Sequence, residues 1–430
     1  MLDIRFIRQN IDLIRKNLER RRDSTKLEAF ERFLALDNRT RALQKEIQDL
    51  RTLRNRLSRE VGKLKKSGQD DPQLVEQSNQ VNKRISEIET ETDEAQVEQK
   101  KIQMSIPNIL HESVPYGADE EDNELVREWG GRPEFGFKVH SHVDLLDSLD
   151  IGDLARAAKV AGARFYYLKN ELVMLDLAMQ QMALDILRKK GYSLIYPPFM
   201  MRREPYEGVT DLADFEDVMY KIEGEDLYLI ATSEHPIAAM YMGEILEPEE
   251  LPLKLAGVST CFRKEAGAHG KDTKGIFRVH QFNKVEQFVF CHPDESWPIH
   301  EELIRNEEEY VQALKLPYRI VNVCTGDIGI VAAKKYDLEY WFPGQQKYRE
   351  GGSCSNCTAY QATRLGIKYR IKRGGTEKAY LHTLNSTMMA NTRTLVAILE
   401  VYQQEDGSVK IPSALHRYLP SGMKEIAPGA

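Results

Sequence analysis

The sequence predicts an α+β protein: an N-terminal antiparallel helical hairpin, a coiled coil, within residues 1–110, then a larger domain over 111–430 built on an antiparallel sheet flanked by helices. Three observations predict it. Between about Thr40 and Ile102 the chain has little Gly or Pro, many charges, and apolar residues at alternating spacings of three and four, which makes a helical seam. The Gly- and Pro-bearing segment SGQDDP, Ser67 to Pro72, interrupts that pattern half-way. Past an acidic, turn-rich linker, Glu112 to Asp122, short strand-like runs alternate with polar turns, at lengths that favour an antiparallel over a doubly wound parallel sheet.

The outgoing limb of the hairpin places Leu36, Thr40, Leu43, Ile47, Leu50, Arg54, Leu57, Val61 and Leu64 on one seam. The return limb places Leu74, Ser78, Val81, Ile85, Ile88, Thr92, Ala95, Gln99 and Ile102 on another. Thirty-odd residues per limb at 1.5 Å each give a rod of roughly 45 Å. Its charge is one-sided. From Arg39 to Lys66 there are ten Lys or Arg against three acids, whereas the return limb carries Glu87, Glu89, Glu91, Asp93, Glu94 and Glu98. A solvated face with i,i+4 pairs accounts for part of that excess, and a dimerising coil is an alternative. The surplus, centred on Arg51, Arg54, Arg56 and Arg59, is what a phosphate backbone would seek.

In the larger part a helix is expected from about Leu172 to Lys190, ended by Gly191. A short strand, SLIYPPFM, follows and is closed by Pro197 and Pro198. The runs DLYLIAT, LAGVSTCF, FVFCH and YRIVNV read as strands, and TLNSTMMANTRTLVAILEVYQ as a turn or strand passing into an apolar-periodic helix. With 41% apolar and 30% charged residues the chain reads as globular and, with no run of eighteen apolar residues and a charged start, as cytoplasmic. Five cysteines, an odd number spread over a long chain, argue against a disulfide framework. The net charge of −7 means that any nucleic-acid partner must be held by a local basic surface.

The chemistry concentrates in TCFRKEAGAHGKDTKGIFRVHQF, Thr260 to Phe282. Side chains alternate across a strand, so Arg263 and Glu265 share one face of the first limb. The same parity groups Arg278, His280, Phe282, Lys284 and Glu286 on the second. If the limbs pair across the Gly267 to Gly275 loop, one face offers two cations, a flat ring and two carboxylates, an inventory that suits a nucleoside triphosphate. A plain charged hairpin is the alternative. No dinucleotide fingerprint is present, and the loop is no Walker A motif, because Glu265 stands where its first glycine is needed.

Pro198 after a long helix, the Arg263 hairpin and Arg393 in the first turns of the last helix resemble the three motifs of class II aminoacyl-tRNA synthetases. Over essentially the whole chain the sequence resembles the seryl-tRNA synthetases of the ordinary zinc-free type. ATSEHP, Ala231 to Pro236, is similar to their serine-binding loop. DTKGIFRVHQFNKVEQF resembles their second motif, YREGGSCSNCTAYQATR their metal-nucleotide segment, and TLNST…TR…ILEVYQ…DG…IP their third motif.

The resemblance implies ATP-dependent attachment of L-serine to tRNA(Ser) through a seryl-adenylate, with tRNA(Sec) as a further candidate acceptor. It also implies a homodimer with the stretch ending at Pro198 in its interface. It assigns Arg263, Lys264, Glu265, Val279 and Phe282 to the α-phosphate and adenine, and Arg278 and Arg393 to the outer phosphates. Glu350, Gly351, Gly352 and Ser353 fall to ATP and its Mg²⁺, and Thr232, Ser233, Glu234, Glu286 and Thr387 to serine. The helical arm, with Arg51, Arg54, Arg56 and Arg59, would grip tRNA. Gly351 and Gly352 stand where the family usually reads Ile/Val-Ser, and Ala359 and Thr363 stand where it tends to carry an acid and an arginine. Cys354 and Cys357 form a single CxxC with no second pair, so no zinc is expected.

Overall fold

A computed structural model describes residues 1–68, 71–210, 218–265 and 274–429. Contacts divide the chain into two compact units, Ile4–Ile106 and Met1–Asp3 with Pro107–Ala430. The first holds two short helices, α1 (Ile4–Gln9) and α2 (Ile11–Arg20), and two long ones, α3 (Ser24–Lys66) and α4 (Pro72–Ser105), packed side by side. Both long helices are started by aspartates. Asp23 accepts from the Lys26 amide, and Asp71, followed by Pro72 in the first turn, accepts from the Gln73 and Leu74 amides. The seam is formed by Leu43, Ile47 and Leu57 against Val81, Ile85 and Ile88. Ile88 is fully buried, worth on the order of 1.5–3 kcal/mol.

At its start the seam differs from the expected one. Asp37, not Leu36, is buried, with Phe33 one turn before it and Thr40 after. The reason is a partner from outside the hairpin: Arg8 of α1 forks onto Asp37 at 2.7 and 3.0 Å, and Gln99 of α4 adds 2.8 Å. These contacts hold the Asp37 carboxyl below its usual range against the desolvation that would raise it. The charged stripe is partly self-neutralised, since Arg39 pairs with Glu91 and Arg51 with Glu89 across the hairpin. Arg56 and Arg59 are exposed and have no ion-pair partner among the described residues.

The second unit is built on an eight-stranded sheet. In chain order its strands are β1 (Glu124–Trp129), β2 (Ser193–Ile195), β3 (Leu253–Phe262), β4 (Gln281–Cys291), β5 (Tyr318–Asn322), β6 (Lys334–Phe342), β7 (Lys347–Asn356) and β8 (His382–Ala390). Their spatial order is β1-β5-β6-β7-β8-β4-β3-β2, antiparallel throughout except for the edge pair β2 and β3. Three helices, α5 (Asn170–Lys189), α6 (Ser296–Ala313) and α7 (Asn391–Tyr402), pack on the sheet and share one core, with Leu175, Leu303 and Leu395 against Val285, Val289, Leu338 and Leu384. Phe288 and Phe290, of opposite parity to Val285 and Val289, enter a separate core with Tyr206, Ile230, Ile237 and Leu365. Parity in β4 therefore decides which side chains meet the helices and which meet the opposite face.

The expected hairpin is there, but its regular strands are shorter. β3 ends at Phe262 and β4 begins at Gln281, so Arg263, Glu265, Arg278 and His280 fall outside them, and Glu265 has a φ of 50°. Strict alternation therefore does not position these four. Pairing persists one step past the strands, where the Arg263 amide donates to His280 O at 3.0 Å and His280 Nδ1 meets Arg263 O at 2.8 Å. The predicted loop from Gly267 to Gly275 lies outside the described residues as far as 273, as does the middle of the arm's turn, 69–70. Of DLYLIAT only Tyr228–Leu229 is strand.

Candidate active site

Three central strands set the site. Glu286 of β4 stands opposite Gly257 of β3 on one side and Thr387 of β8 on the other. Gly257 has a steric reason to lack a side chain: a Cβ there would lie 2.5 Å from Ile237 Cδ1 and 2.7 Å from Ser233 Oγ. Its absence lets the short helix Glu234–Ala239 press onto the sheet, bringing the Thr232–Glu234 turn over β4. Thr232 Oγ1 is then 3.3 Å from Lys284 Nζ, and Lys284 in turn pairs with Glu286, all three buried. Ser233 is fully buried and its hydroxyl donates to Gly257 O at 3.4 Å.

A cleft opens on this face. Arg263, Glu265, Arg278, Val279, Phe282, Glu350, Gly351, Gly352, Ser353, Thr387 and Arg393 line it, so eleven of the sequence-predicted site residues meet in one place. Lys264 does not line it; its amide donates to Val218 O at 2.9 Å. Arg263 lies over the Phe282 ring at 5.3 Å, with Nε donating to Ala231 O at 3.3 Å. Arg278 Nη1 donates to Glu265 Oε2 at 3.0 Å. Arg393, on the first turn of α7, donates from Nη1 to Glu350 O at 2.9 Å and stands 3.1 Å from Glu350 Oε2. Three guanidinium groups therefore converge with two carboxylates on one ring-floored cleft.

Electrostatics separates the carboxylates. Desolvation opposes ionisation of Glu350, but Arg393 and then Lys335 outweigh it and hold the carboxyl down to about 2, with nearly half its side-chain surface open. Glu286 goes the other way: burial pushes it up to about 7, opposed by Lys284 and reinforced by Glu234. Glu234 is also raised by burial, while Lys284, Gln361 and Arg263 counter it; its Oε1 accepts from Gln361 and Asn385 at 3.0 Å each. His235 is pushed down to about 3, by burial first, and its Nδ1 meets the Tyr206 hydroxyl at 3.0 Å, the environment of a structural imidazole. Cys354 and Cys357 are buried free thiols, the first donating to His300 O and the second accepting from Asn385.

The two glycines that depart from the family pattern have a packing cause. A Cβ on Gly351 would overlap the Tyr340 ring, and one on Gly352 would overlap Glu307 Oε1 and lie 2.9 Å from Thr387 Cβ. Sequence reasoning did not assign Lys284, Phe277, Ala390 and Thr392 to the cleft. Lys284 was within reach of parity with Phe282 and Glu286, whereas Phe277 precedes the strand and carried no such signal.

Two family models match the chain. Residues 218–402 match the model of the class II tRNA synthetase core domain (G, H, P, S and T), and residues 1–110 match that of the seryl-tRNA synthetase N-terminal domain. A serine–tRNA ligase of Methanocella arvoryzae is 54% identical over 419 residues, 97% of this chain and 99% of the relative. The chain belongs to the seryl-tRNA synthetase family. A crystal structure of the family's member from Pyrococcus horikoshii complexed with ATP superposes with a TM-score of 0.94, at 50% identity and covering 100% of both chains. The cytoplasmic serine–tRNA ligase of Naegleria fowleri in complex with AMP gives 0.88 at 40% identity, covering 100% of this chain and 99% of that one.

Proposed function

We propose that this chain is an ATP-dependent serine–tRNA ligase, which activates L-serine as seryl-adenylate and transfers it to tRNA(Ser). The observation that carries the reading is the cleft in which Arg263, Arg278 and Arg393 surround Glu350 and Phe282, next to the buried Thr232–Lys284–Glu286 group. Activation is in-line attack of the serine carboxylate on the α-phosphorus, with pyrophosphate leaving. Both reactants are anions, so the work of the protein is charge neutralisation and positioning. Arg263 is suited to the α-phosphate, Phe282 to the face of the adenine and Glu265 to its amine, while Arg278 and Arg393 suit the outer phosphates. Glu286, opposite Thr387 and paired with the Lys284 that meets Thr232, suits the serine ammonium and hydroxyl, with Glu234 close by. A buried site that hydrogen-bonds a hydroxyl leaves polar groups stranded when alanine enters, which can discriminate by roughly 10⁴.

Glu350 is ionised, oxygen-bearing and partly open to the cleft, which fits Mg²⁺ arriving with ATP, and Ser353 beside it is the second candidate. When bound, the ion supplies neutralisation of the phosphate oxygens. Residues 1–110 serve as the tRNA-binding arm and 111–430 as the catalytic part. A cytoplasmic location follows from the product, which is consumed in translation. The test is pyrophosphate exchange into ATP with serine, threonine, alanine, glycine or no amino acid. Exchange that depends on serine alone is expected, with Arg263→Ala abolishing it in a folded protein; exchange without serine dependence overturns the reading. Charging transcripts of tRNA(Ser) and tRNA(Sec) separately decides whether the second is an acceptor.

A further inference from the structure

One ionisable group close to the site has no part in the scheme above. Glu307 stands on α6, behind the sheet, and is only 2% exposed. Strands β7 and β8 are paired only from Cys354 opposite Ser386 to Asn356 opposite Leu384. Beyond that point β7 shifts register against β6, and β8 shifts against β4 between Thr387 and Met389. The Glu307 carboxyl lies where the two strands part. Its Oε2 accepts from the Ser386 hydroxyl at 3.4 Å, and its Oε1 occupies the place that a Cβ on Gly352 would need, next to Thr387.

We propose that Glu307 is a positioning residue for the amino-acid end of the site, reaching from behind the sheet through the space left by Gly352 to hold the Ser386–Thr387 segment opposite Glu286. The proposal rests on the serine-activating reading of the cleft. The chemistry of the group suits the task. Burial, then the neighbouring Glu286 and Asp337, keep its carboxyl well above the usual carboxylate range, with Lys284 and the Ser386 hydrogen bond opposing them. A neutral acid can donate one hydrogen bond and accept another without setting a second negative charge beside Glu286. The glycine and the glutamate are thus one device: residue 352 has no side chain because the carboxyl from α6 takes its place.

Steady-state pyrophosphate exchange with serine and ATP varied separately tests this, together with thermal unfolding of each variant. Glu307→Ala is expected to raise KM for serine about 10-fold and to leave KM for ATP within about 2-fold, because the segment it holds places Thr387 opposite Glu286 in the sheet. Glu307→Gln, which keeps size and hydrogen bonding, is expected to stay within about 2-fold of the native chain for both. Glu307→Leu, which fills the space without a polar group and protects the test should the alanine variant not fold, is expected to behave like Glu307→Ala. Adding Gly352→Ala to Glu307→Ala returns a methyl to the vacated space and is expected to recover part of the lost serine affinity, a non-additive pair. Unmoved serine KM in Glu307→Ala and Glu307→Leu, equal shifts for serine and ATP, or independent multiplication of the two substitutions would each overturn the proposal. Should the native protein show no serine-dependent exchange, the functional reading itself falls; serine-dependent exchange with unaltered Glu307 variants removes only the role of Glu307.

Discussion

Glu286 shows how one residue acquires its chemistry from burial. The carboxyl is 1% exposed, sits between Gly257 and Thr387 in the sheet, and is pushed up to about 7 by burial. The sign for binding follows directly: only the ionised form attracts the serine ammonium, so protonation below about 7 weakens that attraction. KM for serine should therefore rise as pH falls from about 8 to 6, by up to roughly 10-fold per unit, while KM for ATP stays flat because Glu350 is ionised throughout. Glu286→Gln should raise serine KM and flatten its pH profile; a profile unchanged by that substitution would assign the titration elsewhere. Most of the site's residue types were legible in the chain, because arginines, an aromatic ring and carboxylates cluster in one short stretch and in two later motifs. Glu307 was not legible. It lies on a helix with many glutamates, and only the strand divergence above it distinguishes it from its neighbours.

At the scale of elements the arm was readable because helical periodicity is local. Seam positions from Thr40 to Gln99 follow from spacings of three and four, and each residue's partner is another helix of the same hairpin. The failure at Leu36 has the complementary cause: Arg8, far away in sequence, makes a buried aspartate tolerable at a seam position. The charge stripe divides in the same way. Arg51 is drawn into a pair with Glu89, whereas Arg56 and Arg59 are exposed and make no ion pair among the described residues. Replacing Arg51, Arg54, Arg56 and Arg59 together by Ala should weaken tRNA charging and lower the log–log salt slope of tRNA binding by roughly 3, with adenylation unchanged. Unaltered charging kinetics would remove the arm's role. Arg56→Ala with Arg59→Ala should produce most of that effect.

On the whole-molecule scale the second unit leaves an apolar face uncovered. Val173 and Leu177, one turn apart on α5, are exposed, as are Leu194 and Tyr196 at and after β2, with Tyr196 78% exposed. Such a patch on neighbouring elements, at the edge strand of the sheet, is what a second copy would cover. We therefore expect sedimentation equilibrium to give twice the 49.5 kDa of one chain, and Tyr196→Asp to shift the protein towards monomer at equal concentration. A native protein that sediments as a monomer at micromolar concentration would exclude this interface. Among the described residues no helix is long and apolar enough to cross a membrane.

By itself the sequence determined the helical hairpin, the antiparallel character of the larger part and the inventory of the cleft, since each depends on residue spacing within one segment or on motifs read in order. Tertiary structure alone decided which side chains meet. Arg263, Glu265 and Arg278 lie outside the strands that alternation assumed, and they converge because β3 and β4 remain paired one step past their ends. Lys284 becomes part of the site only when Gly257 lets the Thr232 turn settle over it, and the lack of room at Gly352 comes from a carboxyl of α6 together with Thr387 of β8. Register and close packing join residues far apart in the chain, and no spacing within a segment encodes those distances.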